Sequence, residues 1–563
     1  MNINKQNNLL ELFYRQYKKE NPDQIFLQSL KGPREKFTWQ DTYLNVLKLS
    51  SMLSSMLESN DRCLLISENR PEWLITDLAI MSLKGITVPA YTTYTERDYE
   101  FLINDCKPSV IVVSDEIQFS KVENIITSQP FIKGIISFEK IKKRDDVFCI
   151  KDIFTKNDFK EINFLDLKII RKDPACLIYT SGTQGNPKGV MLSHGGILSN
   201  CEGSISLLKE IIINKPKFLT WLPLSHSYEH TVQFVQIAIG AKVFYAESID
   251  KLIKNMNECS PDIMTAVPRF YQNLYQKINA NFEKTSGFKR YLVNKTLNLG
   301  EKVLNNKQLS VIEKIQNSIC NNLVRKKIKS QFGGSLKAFV SGGGALDVNI
   351  GVFLNSIGLP TLQGYGLTET SPVVSCNPIN NIRVDTVGPP FANNEVKIAS
   401  DGEILIKGEN LMLGYWNNKE ATKKVLIDGW LYTGDIGHFS NGYLKITDRK
   451  KDILITPGGE NISPVKIEND LLKINFIEQA LVYGDSKPYL IALLVINDKN
   501  ISNELIFKEI EKINKNFSKI EKIKKFFLIK DQFTIENQLM TPTLKLKRYK
   551  IIEKYKKQIE NLY

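Results

Sequence analysis

Histidine is scarce in this chain: the 563 residues hold only His194, His226, His230 and His438. A multi-histidine metal centre is therefore not expected, whereas a hard cation held by carboxylate and phosphate oxygens needs no imidazole. The eight cysteines (Cys63, Cys106, Cys149, Cys176, Cys201, Cys259, Cys320, Cys376) form no Cys-x-x-Cys pair, and none falls in the last third. Neither a zinc site nor a disulfide framework is expected. No stretch approaches the ~18 uninterrupted apolar residues of a membrane span. The start, MNINKQNNLLELFYRQYKKENPD, is polar where a signal peptide would be apolar. The expectation is a cytoplasmic chain, with peripheral contact at the inner face of an anionic membrane left open. Arginine is also sparse, 13 of 75 basic residues, and the dominance of lysine beside abundant Ile and Asn suits genomic base composition as well as any function.

What is present is ordinary globular composition, 42% hydrophobic and 24% charged, in a chain long enough for several domains. Lys and Arg outnumber Asp and Glu by 75 to 61, a net charge of +14. Such an excess favours anionic partners, whether nucleotide, phosphate, acidic lipid or nucleic acid, and does not choose among them.

Short β-branched runs alternate with helical patterns through the first 380 residues or so, the rhythm of stacked, largely parallel sheets with helices. Arg62–Ser67, Ser109–Val113 and Asp262–Val267 read as buried strands; Glu72–Lys84 and Pro268–Ile278 read as helices. Lys284–Lys329 reads as one long, basic helical excursion. From about residue 385 to 448 the texture is short alternating strands, with Ser440-Asn441-Gly442 marking a hairpin turn. RKKDILITPGGENISP, after Asp448, reads as an exposed linker, which divides residues 1–448 from a small α+β domain at 449–563. Strands near Ala480–Tyr483 and Tyr489–Ile496, and helices near Pro464–Lys473 and Asn503–Phe517, are expected there, with Ser463 as N-cap. The fold class is α/β throughout the large part.

The segment richest in chemistry is LIYTSGTQGNPKGVMLSH, residues 177–194. A strand ending near Tyr179 runs into Thr180, Ser181, Gly182, Thr183, Gln184 and Gly185, followed by Lys188. Hydroxyls, glycines and a lysine directly after a strand suit a polyphosphate, because backbone N–H groups approach oxygens closely where no side chain intervenes. It is not a Walker A loop, since Lys188 follows Pro187 and precedes Gly189.

T-S-G-T-x-G-x-P-K-G resembles the phosphate loop of adenylate-forming enzymes, a superfamily that includes acyl-CoA synthetases, luciferases and peptide-synthetase adenylation domains. LPLSH at 222–226, SGGGAL at 341–346, GYGLTE at 364–369, GWLYTGD at 429–435, DRKKDILITPGGENISP at 448–464 and TPTLKLKR at 541–548 follow in the family's order. The resemblance spans about residues 10–550 and is greatest to AMP-forming long-chain fatty-acid–CoA ligases. It implies that fatty acid, ATP and CoA are substrates, with Mg²⁺ as cofactor and no nucleic acid as partner. Fatty acid and ATP would give acyl-AMP and pyrophosphate; CoA would then take the acyl group and release AMP. A carrier-protein phosphopantetheine is the alternative acceptor, and a non-catalytic acyl or nucleotide binder is the alternative class.

By the same resemblance, Gly364, Tyr365 and Gly366 line the adenylate, Tyr365 stacking on adenine; Thr368 meets the α-phosphate and Glu369 holds the metal. Gly342–Ala345, with Gly343, Gly344 and Ala345, forms an adenine-lining strand. Asp435 binds the ribose hydroxyls, a paired acceptor for a vicinal diol, and Arg449 contacts ribose or phosphate. Lys450 reads as solvated. Lys451 is a hinge about which the C-terminal domain moves. Gly458, Gly459 and Glu460 line the pantetheine tunnel, His226 lies beside the reacting carboxylate, and Lys545 is the catalytic lysine, with Lys547 the runner-up.

Overall fold

The computed structural model describes residues 3–127, 129–142, 144–180, 187–212, 214–457, 460–498, 500–541 and 544–563. Two eight-stranded sheets dominate the large part. The first runs from Val373–Cys376 through Thr361–Gly366, Ala338–Ser341, Ile263–Ala266, Lys217–Thr220, Lys242–Tyr245 and Ile25–Ser29 to Lys36–Thr38. Its two edge strands are antiparallel and every inner pairing is parallel. The second carries Pro174–Thr180 beside a parallel block that contains Ile86–Ala90, Arg62–Ile66 and Val110–Val113; on its other side Lys188–Ser193 pairs antiparallel.

Helices Leu9–Tyr17, Trp39–Leu53, Pro71–Ser82, His194–Leu208 and Ser227–Ala238 share one continuous core with side chains from both sheets. Pro71–Ser82 lies deepest: all twelve of its residues are buried, and its two carboxylates are paired, Glu72 with Arg70 and Asp77 with His230, as buried charges must be. It opens on Pro71, whose missing N–H costs nothing there, and stops before Lys84 at φ +57. All eight cysteines are buried and unpaired.

A third, antiparallel sheet holds Asn394–Ile398, Glu403–Gly408, Leu426–Ile427, Trp430–Ser440 and Tyr443–Arg449. Ser440 pairs with Tyr443 across Asn441 at φ +48 and Gly442 at φ +79, the two left-handed residues of a type I′ hairpin. The last sheet pairs Ile477–Tyr483 antiparallel and Ile523–Ile529 parallel with Leu490–Ile496. Its alternation is strict: Leu490, Ala492 and Leu494 face helices Pro464–Leu471 and Asn503–Asn514, whereas Ile491, Leu493 and Val495 pack toward Ile551 and Ile559.

Several expectations need correction. Gly342–Ala345 is not a strand; it is the loop after Ala338–Ser341, turned by Gly343 at φ +80. The excursion is broken, with helix Gly287–Leu304 separated from Val311–Cys320 by a loop in which Asn306 takes φ +54. The strand Tyr443–Arg449 carries Arg449 on the third sheet, one residue past the expected division. The linker reading holds only in part, because Leu454–Ile455 and Asn461–Ile462 pair, and buried Leu454 and Ile462 belong to the C-terminal core. Ser463 stands at the N-cap of Pro464–Leu471 but its side chain makes no capping hydrogen bond.

Candidate active site

Four parallel strands of the first sheet deliver their C-terminal ends to one cleft. Lys217–Thr220 leads to Leu222–His226, Ile263–Ala266 to Val267 and Pro268, Ala338–Ser341 to the Gly343–Ala345 loop, and Thr361–Gly366 to Thr368 and Glu369. Ligands of open α/β sheets bind at such strand ends. Tyr228 ties two of the loops by donating its hydroxyl to the Val340 carbonyl at 3.0 Å, and Ser227 Oγ meets Thr368 Oγ1 at 3.1 Å.

Glycine is obligatory here at Gly366, since a Cβ would lie 1.8 Å from the Pro372 carbonyl oxygen. Tyr365, beside it, donates its hydroxyl to Asp435 Oδ2 at 2.7 Å, and Arg449 Nε donates to Asp435 Oδ1 at 2.8 Å. Asp435 and Arg449 are direct cross-strand partners, so one hairpin register places both. The Asp435 carboxylate raises the Arg449 pKa further.

Lys450 is not merely solvated. Its Nζ lies 2.7 Å from both Asp401 and Glu403, and Glu403 accepts the Gly434 N–H at 2.7 Å. The backbone before Asp435 is thereby clamped to the segment that carries Lys450. Lys451 follows it, exposed.

On the other side, Tyr415 donates its hydroxyl to Glu369 Oε1 at 2.8 Å, while Lys188 Nζ sits 4.9 Å from the Tyr415 ring centroid. Tyr415 was missed by the sequence reading. The glycine-aromatic pair Gly414-Tyr415 next to Trp416 was the available signal. Thr180 and Lys188 are partners in the antiparallel pairing of Pro174–Thr180 with Lys188–Ser193. Residues 181–186, including Ser181, Gly182, Thr183, Gln184 and Gly185, and likewise Gly458 and Gly459, lie outside the described residues. Glu460 is exposed, its N–H donating to Thr456 Oγ1 at 3.1 Å.

His226 caps helix Ser227–Ala238, its Nδ1 accepting the Tyr228 N–H at 3.1 Å. The ring proton therefore stands on Nε2. Burial, then the charge of Lys545, pushes the pKa of His226 down to about 3, so the imidazole is neutral at physiological pH.

Lys545 reaches this cleft from the far end of the chain. Thr541 N–H donates to the Lys545 carbonyl at 2.7 Å and the Lys545 N–H returns to Thr541 Oγ1 at 3.0 Å. Arg548, doubly bonded to Glu468 at 2.8 Å, anchors the chain just behind. Leu544, at φ +62, packs on Leu222, Tyr228 and Val267 of the large part. Solvent still reaches Lys545 although protein surrounds it, as expected for a side chain lining a cleft. Desolvation, then Arg449, holds its pKa down to about 8, with Asp435 opposing. Lys547 has its pKa lowered too, by partial burial and Lys550, with no site group among the causes.

Among the described residues no group of three or more His, Cys, Asp or Glu is placed to hold a metal. A single carboxylate such as Glu369 is enough to fit Mg²⁺, which binds one or two protein carboxylates and completes its shell with water and phosphate oxygens.

The long-chain-fatty-acid–CoA ligase FadD15 of Mycobacterium tuberculosis is 27% identical, over 97% of this chain and 96% of its own length. Long chain acyl-CoA synthetase 4 of Arabidopsis thaliana is 30% identical over 93% and 86%. Among solved structures, the anthranilate CoA ligase AuaEII with anthranoyl-AMP superposes with a TM-score of 0.79 at 19% identity over the full length of both chains. ATP-bound MatB from Rhodopseudomonas palustris gives 0.76 at 22%, over 98% and 99%. The "AMP-binding enzyme" family pattern matches residues 14–416 and its "AMP-binding enzyme C-terminal domain" matches residues 451–563. From the strand-end cleft to the docked C-terminal lysine, the chain belongs to the AMP-binding enzyme family.

Proposed function

We propose that the protein is an AMP-forming ligase that activates a long-chain fatty acid as acyl-AMP and passes the acyl group to CoA. The observation that carries this is the convergence of Lys545, Asp435, Arg449, Tyr365, Thr368 and His226 on one cleft although more than 300 residues separate the first of them in the chain from the last. Near full-length similarity to long-chain-fatty-acid–CoA ligases supports the substrate class.

Each group has a task in the first half-reaction. Asp435, oriented by Tyr365 and Arg449, accepts from the vicinal ribose hydroxyls. Arg449 turns its remaining N–H donors to ribose or phosphate. The Gly343–Ala345 loop and Tyr365 border the adenine, and Gly364 and Gly366 keep the floor free of side chains. Thr180, Lys188 and residues 181–185 receive the β- and γ-phosphates, and Thr368 the α-phosphate. Glu369 would hold Mg²⁺, which neutralises phosphate charge. A carboxylate oxygen of the fatty acid attacks the α-phosphorus; the P–O bond to the β-phosphate breaks and pyrophosphate leaves. Lys545, protonated, bridges the two anionic reactants and stabilises charge as it accumulates. His226, neutral, donates Nε2–H toward the acyl carboxylate.

In the second half-reaction the CoA thiolate attacks the acyl carbon and the C–O bond to AMP breaks. Rotation of residues 452–563 about Lys451 would withdraw Lys545 and bring Gly458, Gly459 and Glu460 to the pantetheine path. The arrangement described here, with Leu544 and Lys545 seated at the cleft, suits the first step. The test is ATP–pyrophosphate exchange over a panel of carboxylic acids, then addition of CoA or a carrier protein. Exchange highest with long-chain acids and thioester on CoA supports the reading; exchange with none, or thioester only on the carrier, contradicts it.

A further inference from the structure

The basic excursion carries an apolar face that nothing among the described residues covers. Residues 284–330 hold eleven Lys or Arg against two Asp or Glu, nine of the whole molecule's +14 charges. Helix Val311–Cys320 is apolar on two sides. Cys320 and, after it, Val324 and Ile328 are buried; the latter two pack into a core cluster. Val311, Ile312, Ile315 and Ile319 lie within an arc of about 100° on another side. They are 74%, 68%, 60% and 45% exposed, and Leu323, just beyond, is 55% exposed. Contiguous exposed apolar surface of this kind marks an interaction site rather than ordinary surface variation.

The face is rigidly presented. Arg325 donates to the Ser356 carbonyl at 2.8 Å, to Thr296 at 3.2 Å and to Asn317 Oδ1 at 2.8 Å. Helix Gly287–Leu304 crosses close to helix Val348–Ser356 at Gly300, where a Cβ would lie 2.5 Å from Ser356 Cα. The stripe therefore has a fixed direction outward, and cannot close on its own core. Exposed Lys307, Lys314, Lys326 and Lys327 flank it. One of the two carboxylates, Glu313, is already bonded to Lys302 at 2.6 Å.

We propose that this face lies on the surface of an anionic lipid bilayer, its isoleucines in the interfacial layer and its lysines against lipid phosphates. A protein partner would need acidic rims on both sides of an apolar groove; a bilayer containing anionic lipid supplies both properties over any area. An apolar stripe rimmed by lysine is what interfacial helices present. The location also suits the cleft: helix Pro268–Glu283, which starts beside the Gly344 loop, extends about 24 Å toward the excursion. The peripheral membrane contact left open by the sequence is thereby given a place, residues 284–330. It stands apart from the ligase reading, because vesicle binding is read without turnover.

The experiment is co-sedimentation of the full chain with phosphatidylcholine vesicles with and without phosphatidylglycerol, alongside light-scattering mass measurement without lipid. Wild-type protein should bind the phosphatidylglycerol vesicles and be released by high salt. Ile312→Glu with Ile315→Glu should weaken that binding about tenfold or more while melting and pyrophosphate exchange stay unchanged. Lys314→Gln, Lys326→Gln and Lys327→Gln should each weaken it by up to about fivefold, and Ile315→Trp should show a blue-shifted emission on vesicles. Absence of vesicle binding by the wild type, or equal binding by the double glutamate variant, overturns the proposal. So does a wild-type dimer that the double variant converts to monomer, because a second copy would then cover the face.

Discussion

At the scale of residues, the site depends on a few side chains whose charge states are set by their neighbours. Lys545 has the proton that the proposed first step needs below about pH 8 and loses it above, because desolvation and Arg449 disfavour the cation. Adenylation measured as kcat/KM for ATP should therefore fall as pH rises through about 8, and the limb in kcat should lie higher, since bound phosphates favour the ammonium. In Lys545→Arg, which cannot deprotonate in this range, whatever activity survives should lack that limb. An unchanged limb would assign it to another group. His226, with its pKa near 3, should contribute no limb above pH 5, so His226→Ala should lower the rate without moving the profile. Glu369→Gln removes the charge of the proposed hard-cation ligand and should cut exchange and raise the Mg²⁺ requirement with little effect on melting; unaltered Mg²⁺ dependence would exclude it as the ligand.

At the scale of elements, local chemistry made much of the fold legible. Pro71, the Asn441–Gly442 turn and the unbroken apolar run Leu490–Ile496 each declare their structure through one physical preference: ring geometry, left-handed backbone or burial on both faces of a sheet. What stayed hidden depends on pairing across distance. Lys450 looks solvated in sequence because its partners Asp401 and Glu403 are 49 and 47 residues away. Gly343 reads as strand until its positive φ turns the chain. The site's motifs were legible; that Tyr415 links Glu369 to Lys188 was not, because no spacing in sequence encodes a contact between separate sheets. Gly366 is an element-scale requirement with a direct test. Gly366→Ala places a methyl 1.8 Å from the Pro372 carbonyl oxygen. Because both sides are backbone, the strand end must shift, at a cost of about 1–3 kcal/mol. Lower melting with weakened ATP binding is expected; wild-type melting would show that the strand end yields freely.

At the scale of the molecule, the C-terminal part has its own cores on both faces of its sheet. It meets the large part through contacts that can be exchanged: Leu544 on its apolar seat, Arg269 donating to the Glu478 carbonyl at 2.9 Å, and Lys473 at 3.7 Å from Asp347. Lys450, by contrast, is tied to the third sheet, so the swivel proposed above would fall after it. Lys451→Pro fixes φ and removes a donor, so it should spare adenylation and slow thioester formation; equal loss of both steps would indicate misfolding instead.

The central claim is that one cleft runs two half-reactions and that Lys545 serves only the first. At about 4 Å and an effective dielectric near 20, one unit pair is worth roughly 4 kcal/mol, about a thousandfold in rate if realised only in the transition state. The most direct measurement follows both half-reactions in Lys545→Ala: pyrophosphate exchange with a long-chain acid, and thioester formed from supplied acyl-adenylate and CoA. The account predicts exchange reduced by about three orders of magnitude, with thioester formation close to wild type. Normal exchange, or equal loss of both activities in a protein that melts like the wild type, would contradict it.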